Sequence, residues 1–216
     1  MGILMTNDSA ETIRLREQAR AGDTKALNAL FARHRSRLRR MVEIRLDRRL
    51  QGRIDPSDVI QEAFVEVVTR LHECVNEPSY PLFLWLRLIV GERLLKLHRH
   101  HVGTQMRDAG RELSLYRGAL PEASSAALAA QLLGKHTSPT QAAVRAERMI
   151  RLQQALNTLD AMDREVLSLR HFEELSLAET ALSLGIEESA AAKRYIRALK
   201  RLKAILASMP GGLDCV

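Results

Sequence analysis

Several features that define other protein classes are scarce in this sequence of 216 residues. It has only two cysteines, Cys74 and Cys215, which are too few for a disulfide framework or a zinc finger, so a reducing, cytoplasmic setting is expected. Aromatic residues make up 4%, which disfavours an all-β protein because strands favour aromatics. No run of about 18 apolar residues occurs, and the N-terminus lacks the basic start and apolar segment of a signal peptide. A membrane span and a secreted chain are therefore not expected.

What the sequence does have is positive charge, arranged in blocks. Lysine and arginine number 33 against 26 aspartates and glutamates, a formal net charge of +7. Residues 33–53 carry nine arginines and two acids, residues 55–77 carry six acids and one arginine, and residues 193–203 carry six bases and no acid. A basic chain usually meets a polyanion such as nucleic acid or an anionic membrane surface, and blocks of opposite sign indicate at least two kinds of partner.

The spacing of apolar residues is helical nearly everywhere and predicts an all-α protein. Ile60, Phe64 and Val67 follow a helix start at Asp55-Pro56 at helical intervals. Steady spacing is lost over residues 103–137, apart from one alanine-rich helical turn near residues 126–133, and a capping box at Ser138-Pro139-Thr140-Gln141 opens the next helix. We therefore expect two small helical domains joined by a flexible linker. The expected order is an N-terminal extension (1–24), a first domain (25–102), the linker (103–137), a second domain (138–208) and a tail (209–216).

Near the C-terminus, a short helix, a glycine turn and a basic helix follow one another. A capping box, Ser176-Leu177-Ala178-Glu179, opens the short helix, and Leu184-Gly185-Ile186 forms the turn. The segment fits either an αα-hairpin of a bundle or a DNA-binding helix-turn-helix. The acid-free run favours the helix-turn-helix, because a bundle helix usually mixes charges of both signs. The residues predicted to be buried on the second helix are Ala191, Tyr195, Leu199, Leu202 and Leu206.

Two clusters in the N-terminal half suggest contacts with partners. Asp58, Glu62 and Glu66 recur every four residues, so they line one helix face, which is either solvated or a docking surface. Aromatic residues at positions 80, 83 and 85 precede several bases, a combination typical of proteins that grip strand-separated DNA. For Phe83 we expect a place in the core, whereas for Trp85 the core and a DNA-facing position are equally supported.

Nothing in the sequence indicates catalysis. His98, His100 and His101 include no pair four residues apart and have no thiol or carboxylate within a turn beyond them, so no metal site is predicted. We expect these histidines to extend a basic surface at a helix end. The sequence contains no nucleophile–base pair, glycine-rich phosphate loop or paired catalytic acids. An enzyme, a cofactor and a small-molecule substrate are therefore not expected.

Two blocks of the sequence resemble the extracytoplasmic-function (ECF) sigma factors of bacterial RNA polymerase. The first contains Asp55-Pro56-Ser57-Asp58-Val59-Ile60-Gln61-Glu62-Ala63-Phe64 and then Phe83-Leu84-Trp85-Leu86-Arg87-Leu88-Ile89. The second runs from Leu159 to Leu202 and contains the helix-turn-helix. Both blocks stand in the family's order. The resemblance implies a factor that binds core polymerase and directs promoter recognition, melting and transcription initiation, with residues 25–102 as sigma domain 2 and 138–208 as sigma domain 4.

The resemblance also implies which residues meet which partner. The polymerase's clamp helices would contact Asp58, Gln61, Glu62 and Glu66. The melted −10 element would contact Asn76, Tyr80, Trp85, Arg87, Lys96 and Arg99. In the duplex −35 element, Ser189, Lys193 and Arg194 are the predicted base-edge contacts, and Arg197 and Lys200 are the predicted phosphate contacts. The family resemblance allows an anti-sigma protein as a further partner.

Two other functions remain open at this point. A stand-alone helix-turn-helix regulator would need only the C-terminal half and a dimer interface, which leaves the acidic block at residues 55–66 without a task. A helical interaction protein, from a different class, would have basic faces that are merely solvated. Mixing with core polymerase separates the three, since only a sigma factor would co-migrate with core and direct promoter-specific transcripts.

Overall fold

The computed structural model describes residues 10–70, 80–102, 120–133 and 142–208. Over these residues the chain forms nine α-helices and no strand, which confirms the predicted all-α fold. Their bounds are α1 (Ala10–Arg20), α2 (Thr24–Arg45), α3 (Pro56–Thr69), α4 (Leu82–Val102), α5 (Ser125–Leu132), α6 (Ala142–Thr158), α7 (Ala161–His171), α8 (Leu177–Leu184) and α9 (Glu188–Ser208). Among the described helices, none combines the length and apolar character that crossing a membrane requires.

The chain divides into two compact units. The first comprises residues 1–121 and 182–185, and the second comprises residues 122–181 and 186–216. Helices α1 to α4 lie in the first unit, and α5, α6, α7 and α9 lie in the second. The division after residue 121 falls within the stretch that was predicted as a linker.

Part of that stretch is a packed helix. The Oγ of Ser124 accepts a hydrogen bond from the Ala127 N–H at 3.4 Å and so caps α5. Leu128 and Ala129 are fully buried, and α5 packs against α6. The alanine-rich turn expected here is therefore a two-turn helix of the second unit. Residues 103–119, and the capping box predicted to open α6, lie outside the described residues.

Helix α2 forms the centre of the first unit. The Asp23 carboxylate caps its start by accepting the N–H of Lys25 at 2.8 Å, and α1, α3 and α4 all pack against it. Leu38, Met41 and Ile44 on α2 are fully buried. Burying each of these three side chains stabilises the fold by about 1.5–3 kcal/mol. Helix α2 is therefore the surface against which the other three helices pack.

Helix α3 begins as the sequence predicts. The Asp55 carboxylate accepts the Ser57 N–H at 2.7 Å, and Pro56 occupies the first helical position, where its missing N–H costs nothing. The hydrogen bonds from Ser57 hold the pKa of Asp55 below its usual range. The helix buries Ile60, Ala63 and neighbouring apolar residues, so its opposite side faces outward.

His98 corrects the prediction that the three histidines form a surface. Its side chain is 4% exposed, and its Nε2 accepts the backbone N–H of Asp47 at 3.2 Å. An acceptor nitrogen carries no proton, and burial accordingly lowers the pKa of His98. His100 and His101 are exposed as expected. His98 is therefore a core residue, and its hydrogen bond joins α4 to the segment that follows α2.

In the second unit, α9 packs against both α7 and α6. The Asp160 carboxylate caps α7 by accepting the Asp163 N–H at 2.7 Å. Tyr195 Oη and His171 Nε2 lie 3.0 Å apart and join the two helices. Burial, and then the charge of Arg170, lower the pKa of His171. The ring therefore remains neutral beside the tyrosine at neutral pH.

The start of α8 and the turn after it also follow the sequence. The Ser176 N–H donates to Glu179 Oε2 at 2.7 Å, and the Glu179 N–H donates to Ser176 Oγ at 3.1 Å, which is the reciprocal pattern of a capping box. Gly185 has a φ of +62°, and the Ile186 N–H donates to the Ala181 carbonyl at 3.0 Å. The positive φ explains why glycine stands between α8 and α9.

Candidate nucleic-acid and protein interfaces

The four residues predicted to contact polymerase lie together on α3. Asp58, Gln61 and Glu62 are exposed, and Glu66 is partly buried. The helix therefore presents carboxylates on the side opposite its buried residues, as the four-residue spacing predicted. The structure brings the residues together, and their contact with polymerase stays a prediction.

Two of these carboxylates are bound by bases of α4. Glu62 accepts Arg93 Nε at 2.7 Å, and Glu66 Oε2 lies 3.5 Å from Lys96 Nζ. Asp58 forms no ion pair with any described residue. It is therefore the carboxylate of the group that is most available to a basic partner.

Sequence reasoning missed two exposed valines beside these carboxylates. Val65 is 66% exposed and Val68 is 45% exposed. They follow Gln61 and Glu62 at helical intervals, so they extend the same side of α3 by two turns. We call Asp58, Gln61, Glu62, Val65 and Val68 together the α3 face. The spacing of the valines from the acidic residues was the available signal, and the sequence analysis made no prediction for either valine.

The residues predicted to meet the −10 element fall into two groups. Tyr80 is partly exposed, and Lys96 and Arg99 are exposed. Trp85 and Arg87 are buried, with 5% and 7% of their surface exposed. Asn76 lies outside the described residues.

The burial of Trp85 and Arg87 follows from the start of α4. The helix is buried nearly all round from Leu82 to Val90. A helix that is apolar on every side gives no periodicity from which an exposed position could be read. Phe83 is 1% exposed, with the guanidinium of Arg37 3.7 Å from its ring centre, which confirms its place in the core.

The outward side of α9 carries four of the five residues predicted to meet the −35 element. Ser189, Lys193, Arg197 and Lys200 are exposed. Ile196 lies among them and is 52% exposed. We call these five residues the α9 face. Its three cations form no ion pair with any described residue, so they are available to a polyanion.

The buried stripe of α9 differs from the prediction at three of its five positions, because Tyr195 and Leu202 are only partly buried and Leu199 is exposed. Ala191, Ala198 and Leu206 are buried, while Leu199 is 37% exposed. Ala198 occupies the central position that Leu199 was expected to fill. The first buried residue after Tyr195 on this side of the helix is three positions later rather than four. Leu199 therefore lies at the edge of the helix's inner side.

Arg194 was predicted to contact bases, but its side chain lies against α7. Its Nη1 is 3.0 Å from Asp163 Oδ1, and Arg201 Nη1 is 2.7 Å from Asp163 Oδ2. The Asp163 side chain is 1% exposed, so the carboxylate is held between the two guanidiniums. Both arginines thus fix α9 on α7, and a base contact by Arg194 stays a prediction.

Replacing Arg194 by alanine is expected to lower the free energy of unfolding by about 1–3 kcal/mol, because it removes a charged hydrogen-bond partner of the buried Asp163 carboxylate. Urea unfolding followed by circular dichroism measures this. Arg197→Ala is the matched control, since Arg197 is exposed and should change stability by no more than about 0.5 kcal/mol. Unchanged stability of Arg194→Ala together with relaxed promoter choice would support the base-contact prediction.

Comparisons with known proteins bear on both halves of the chain. The family described as Sigma-70, region 4, matches residues 155–204, which include α7, α8 and most of α9. The ECF RNA polymerase sigma factor SigD of Mycobacterium tuberculosis is 29% identical over 186 residues, which cover 86% of this chain and 79% of the relative. The ECF RNA polymerase sigma factor BldN of Streptomyces coelicolor is 23% identical over 200 residues, which cover 93% of this chain and 67% of the relative.

A solved structure shares the fold. It is the structure of CnrH in complex with the cytosolic domain of CnrY, with a TM-score of 0.55 and 24% identity, covering 94% of this chain and 100% of that chain. The matches to these relatives cover the N-terminal unit as well as the turn and the basic helix. The similarity is therefore not confined to one motif. Together, the region 4 match and the two relatives support an ECF RNA polymerase sigma factor.

Proposed function

We propose that this sigma factor binds core RNA polymerase through the α3 face and the −35 element of its promoters through the α9 face. As a sigma factor the chain directs transcription initiation, and the proposal concerns which surfaces do so. The observation that carries it is the α9 face, whose cations are exposed and unpaired within the described chain while the opposite side of the helix is packed on α7. Transcription by polymerase reconstituted with surface variants of the chain tests it.

The order of the elements supports docking of α9 in the major groove. Helix α8, the turn at Gly185 and α9 follow one another as in a helix-turn-helix, in which the N-terminal part of the second helix meets base edges. Ser189 and Lys193 lie in that part, and Arg197 and Lys200 lie further along. The three alanines at 190–192 offer no hydrogen-bonding side chain, so DNA shape supplies part of the promoter choice.

Removing Arg197 is expected to weaken binding to all DNA sequences alike, because a phosphate contact carries no sequence information. The slope of log affinity against log salt concentration should become smaller in magnitude by about one unit. Fluorescence anisotropy of the holoenzyme on promoter and non-promoter duplexes at several salt concentrations measures both effects.

Arg14→Ala is the matched control, since Arg14 is an exposed arginine of α1. It should leave the salt slope unchanged. An equal change in both variants would mean that the slope reports net charge rather than a phosphate contact by Arg197.

The α3 face combines carboxylates with apolar surface. Exposed valines beside charged residues are typical of a protein interface with an apolar centre and a polar rim. The carboxylates call for a basic partner surface, and the family resemblance implies that this surface is formed by the polymerase's clamp helices. Glu62 would exchange Arg93 for a base of polymerase on docking.

For melted DNA, the proposal is limited to Tyr80, Lys96 and Arg99. Tyr80 offers a ring for stacking and the two cations offer phosphate contacts. Lys96 pairs with Glu66 at 3.5 Å, but its side chain is 56% exposed, and an exposed pair of this kind is worth at most about 1 kcal/mol and exchanges readily for a phosphate.

We further propose a cytoplasmic location, where core polymerase is found, and a protein partner that regulates the chain. CnrH has been solved with the cytosolic domain of CnrY bound, and the proposal extends that observation to an anti-sigma partner of this chain. The stand-alone regulator is not favoured, because the relatives match the N-terminal unit as well as the helix-turn-helix segment.

A further inference from the structure

One large apolar side chain lies among the cations of the α9 face. Ile196 is 52% exposed, follows Lys193 by three residues and precedes Lys200 by four, so the three side chains share one side of the helix. The buried alanines at 191 and 198 mark the opposite side. A single exposed isoleucine is ordinary on a protein surface. Its position, in the middle of a cationic face with no acid, is what carries the inference.

We propose that Ile196 contacts the C5-methyl group of a thymine in the −35 element and thereby contributes to promoter choice. The proposal rests on the proposed docking of α9 in the major groove. Phosphate contacts by Arg197 and Lys200 would hold α9 against the duplex. Ile196, which lies between Lys193 and Lys200, then faces the edges of the bases. Thymine is the base that presents a methyl group there, and apolar side chains recognise it by contact.

The chemistry of the neighbouring positions supports this assignment. The alanines at 190 and 192 have only a methyl group, and Ser189 has one hydroxyl, so Ile196 offers the largest apolar area on the α9 face. Burying that area against a methyl group removes both from water, whereas any other base edge would leave a polar group beside it unpaired. Ile196 therefore discriminates through burial rather than through hydrogen bonds.

Deoxyuridine substitution tests the contact, because uracil lacks only the methyl group and keeps the base pairing of thymine. Holoenzyme reconstituted from core polymerase and the full chain is titrated with promoter duplexes in which each −35 thymine, on either strand, is replaced singly. The wild-type holoenzyme should lose about fourfold in affinity at one position, the value for one buried methyl group. Holoenzyme with Ile196→Ala should bind the thymine and uracil duplexes equally.

Leu199→Ala is the matched control. Leu199 is the other exposed large apolar residue towards the middle of α9, but it lies at the edge of the inner side, so this variant should keep the preference for thymine. Ile196→Val keeps a branched side chain at the position and should keep most of the preference. It provides the comparison in case Ile196→Ala folds poorly.

The outcomes separate this inference from the proposed function. If the wild-type holoenzyme binds every uracil duplex as tightly as the thymine duplex, or if Ile196→Ala retains the preference, the methyl contact is wrong. The proposed docking still stands in that case, provided that promoter binding is specific and Arg197→Ala reduces the salt slope. If the wild-type holoenzyme shows no promoter preference at all, the docking of α9 and the methyl contact both fail.

Discussion

Replacing Asp58 and Glu62 together by arginine is expected to weaken binding of core RNA polymerase by at least about 100-fold, because placing like charges opposite each other in an interface costs several kcal/mol. Both side chains are exposed on the α3 face, and Asp58 has no ion pair with any described residue. Helix α3 should survive the change. Arginine is a good helix former, and a cation near the N-terminus of a helix costs only about 0.3–1 kcal/mol.

Binding is measured by titrating fluorescently labelled chain with core polymerase, and circular dichroism checks the fold. The matched control reverses two glutamates of α1, Glu11→Arg with Glu17→Arg, which changes the net charge by the same amount on another exposed surface. The control should bind core nearly as the wild type does. Wild-type affinity of the Asp58→Arg, Glu62→Arg variant would exclude the α3 face from the polymerase interface.

Replacing Trp85 by alanine is expected to lower the free energy of unfolding by about 3–5 kcal/mol, the usual cost of truncating a buried tryptophan. The indole is 5% exposed and stands between Leu84 and Leu86, which are also buried. Urea unfolding of the full chain measures the loss. Arg99→Ala, on the exposed part of the same helix, should change stability by no more than about 0.5 kcal/mol.

The same variant also distinguishes a core position for Trp85 from contact with melted DNA. A core residue gives a destabilised protein whose defect is equal on duplex and pre-melted promoters. A variant of native stability that fails to open duplex promoters, and recovers on a pre-melted one, would instead place Trp85 against DNA.

The features that the sequence predicted best are those decided within a few residues. The cap at Asp55 with Pro56, the reciprocal bonds of Ser176 and Glu179, and the positive φ of Gly185 each depend on partners no more than three positions away. Local chemistry leaves few alternatives at such positions. The helix starts and the turn before α9 could therefore be placed without knowledge of the rest of the fold.

The contacts that the sequence could not show join residues that are far apart along the chain. The partner of Arg194 is Asp163, 31 residues earlier, and nothing near Arg194 distinguishes it from Lys193 or Arg197. His98 accepts a backbone N–H from a position 51 residues away. Arg194 and His98 have sequence neighbours like those of surface residues. Only the packing of α9 on α7, and of α4 on the end of α2, shows that the two side chains contact distant parts of the chain.

Exposure on the two proposed faces was also only partly predictable. The four-residue spacing of Asp58, Glu62 and Glu66 gave the outward side of α3, because charged residues stay near water. The exposure of Val65 was missed although the same spacing indicates it, because Val65 follows Gln61 by four residues and Glu62 by three.

The sigma-factor function is tested most directly by transcription in vitro from a library of randomised promoters, using core polymerase with and without the full chain. Transcripts that appear only when the chain is present should start at a constant distance downstream of two shared sequence elements. They should disappear with the Asp58→Arg, Glu62→Arg variant and remain with the α1 control. A set of start sites that is the same with and without the chain would contradict the assignment.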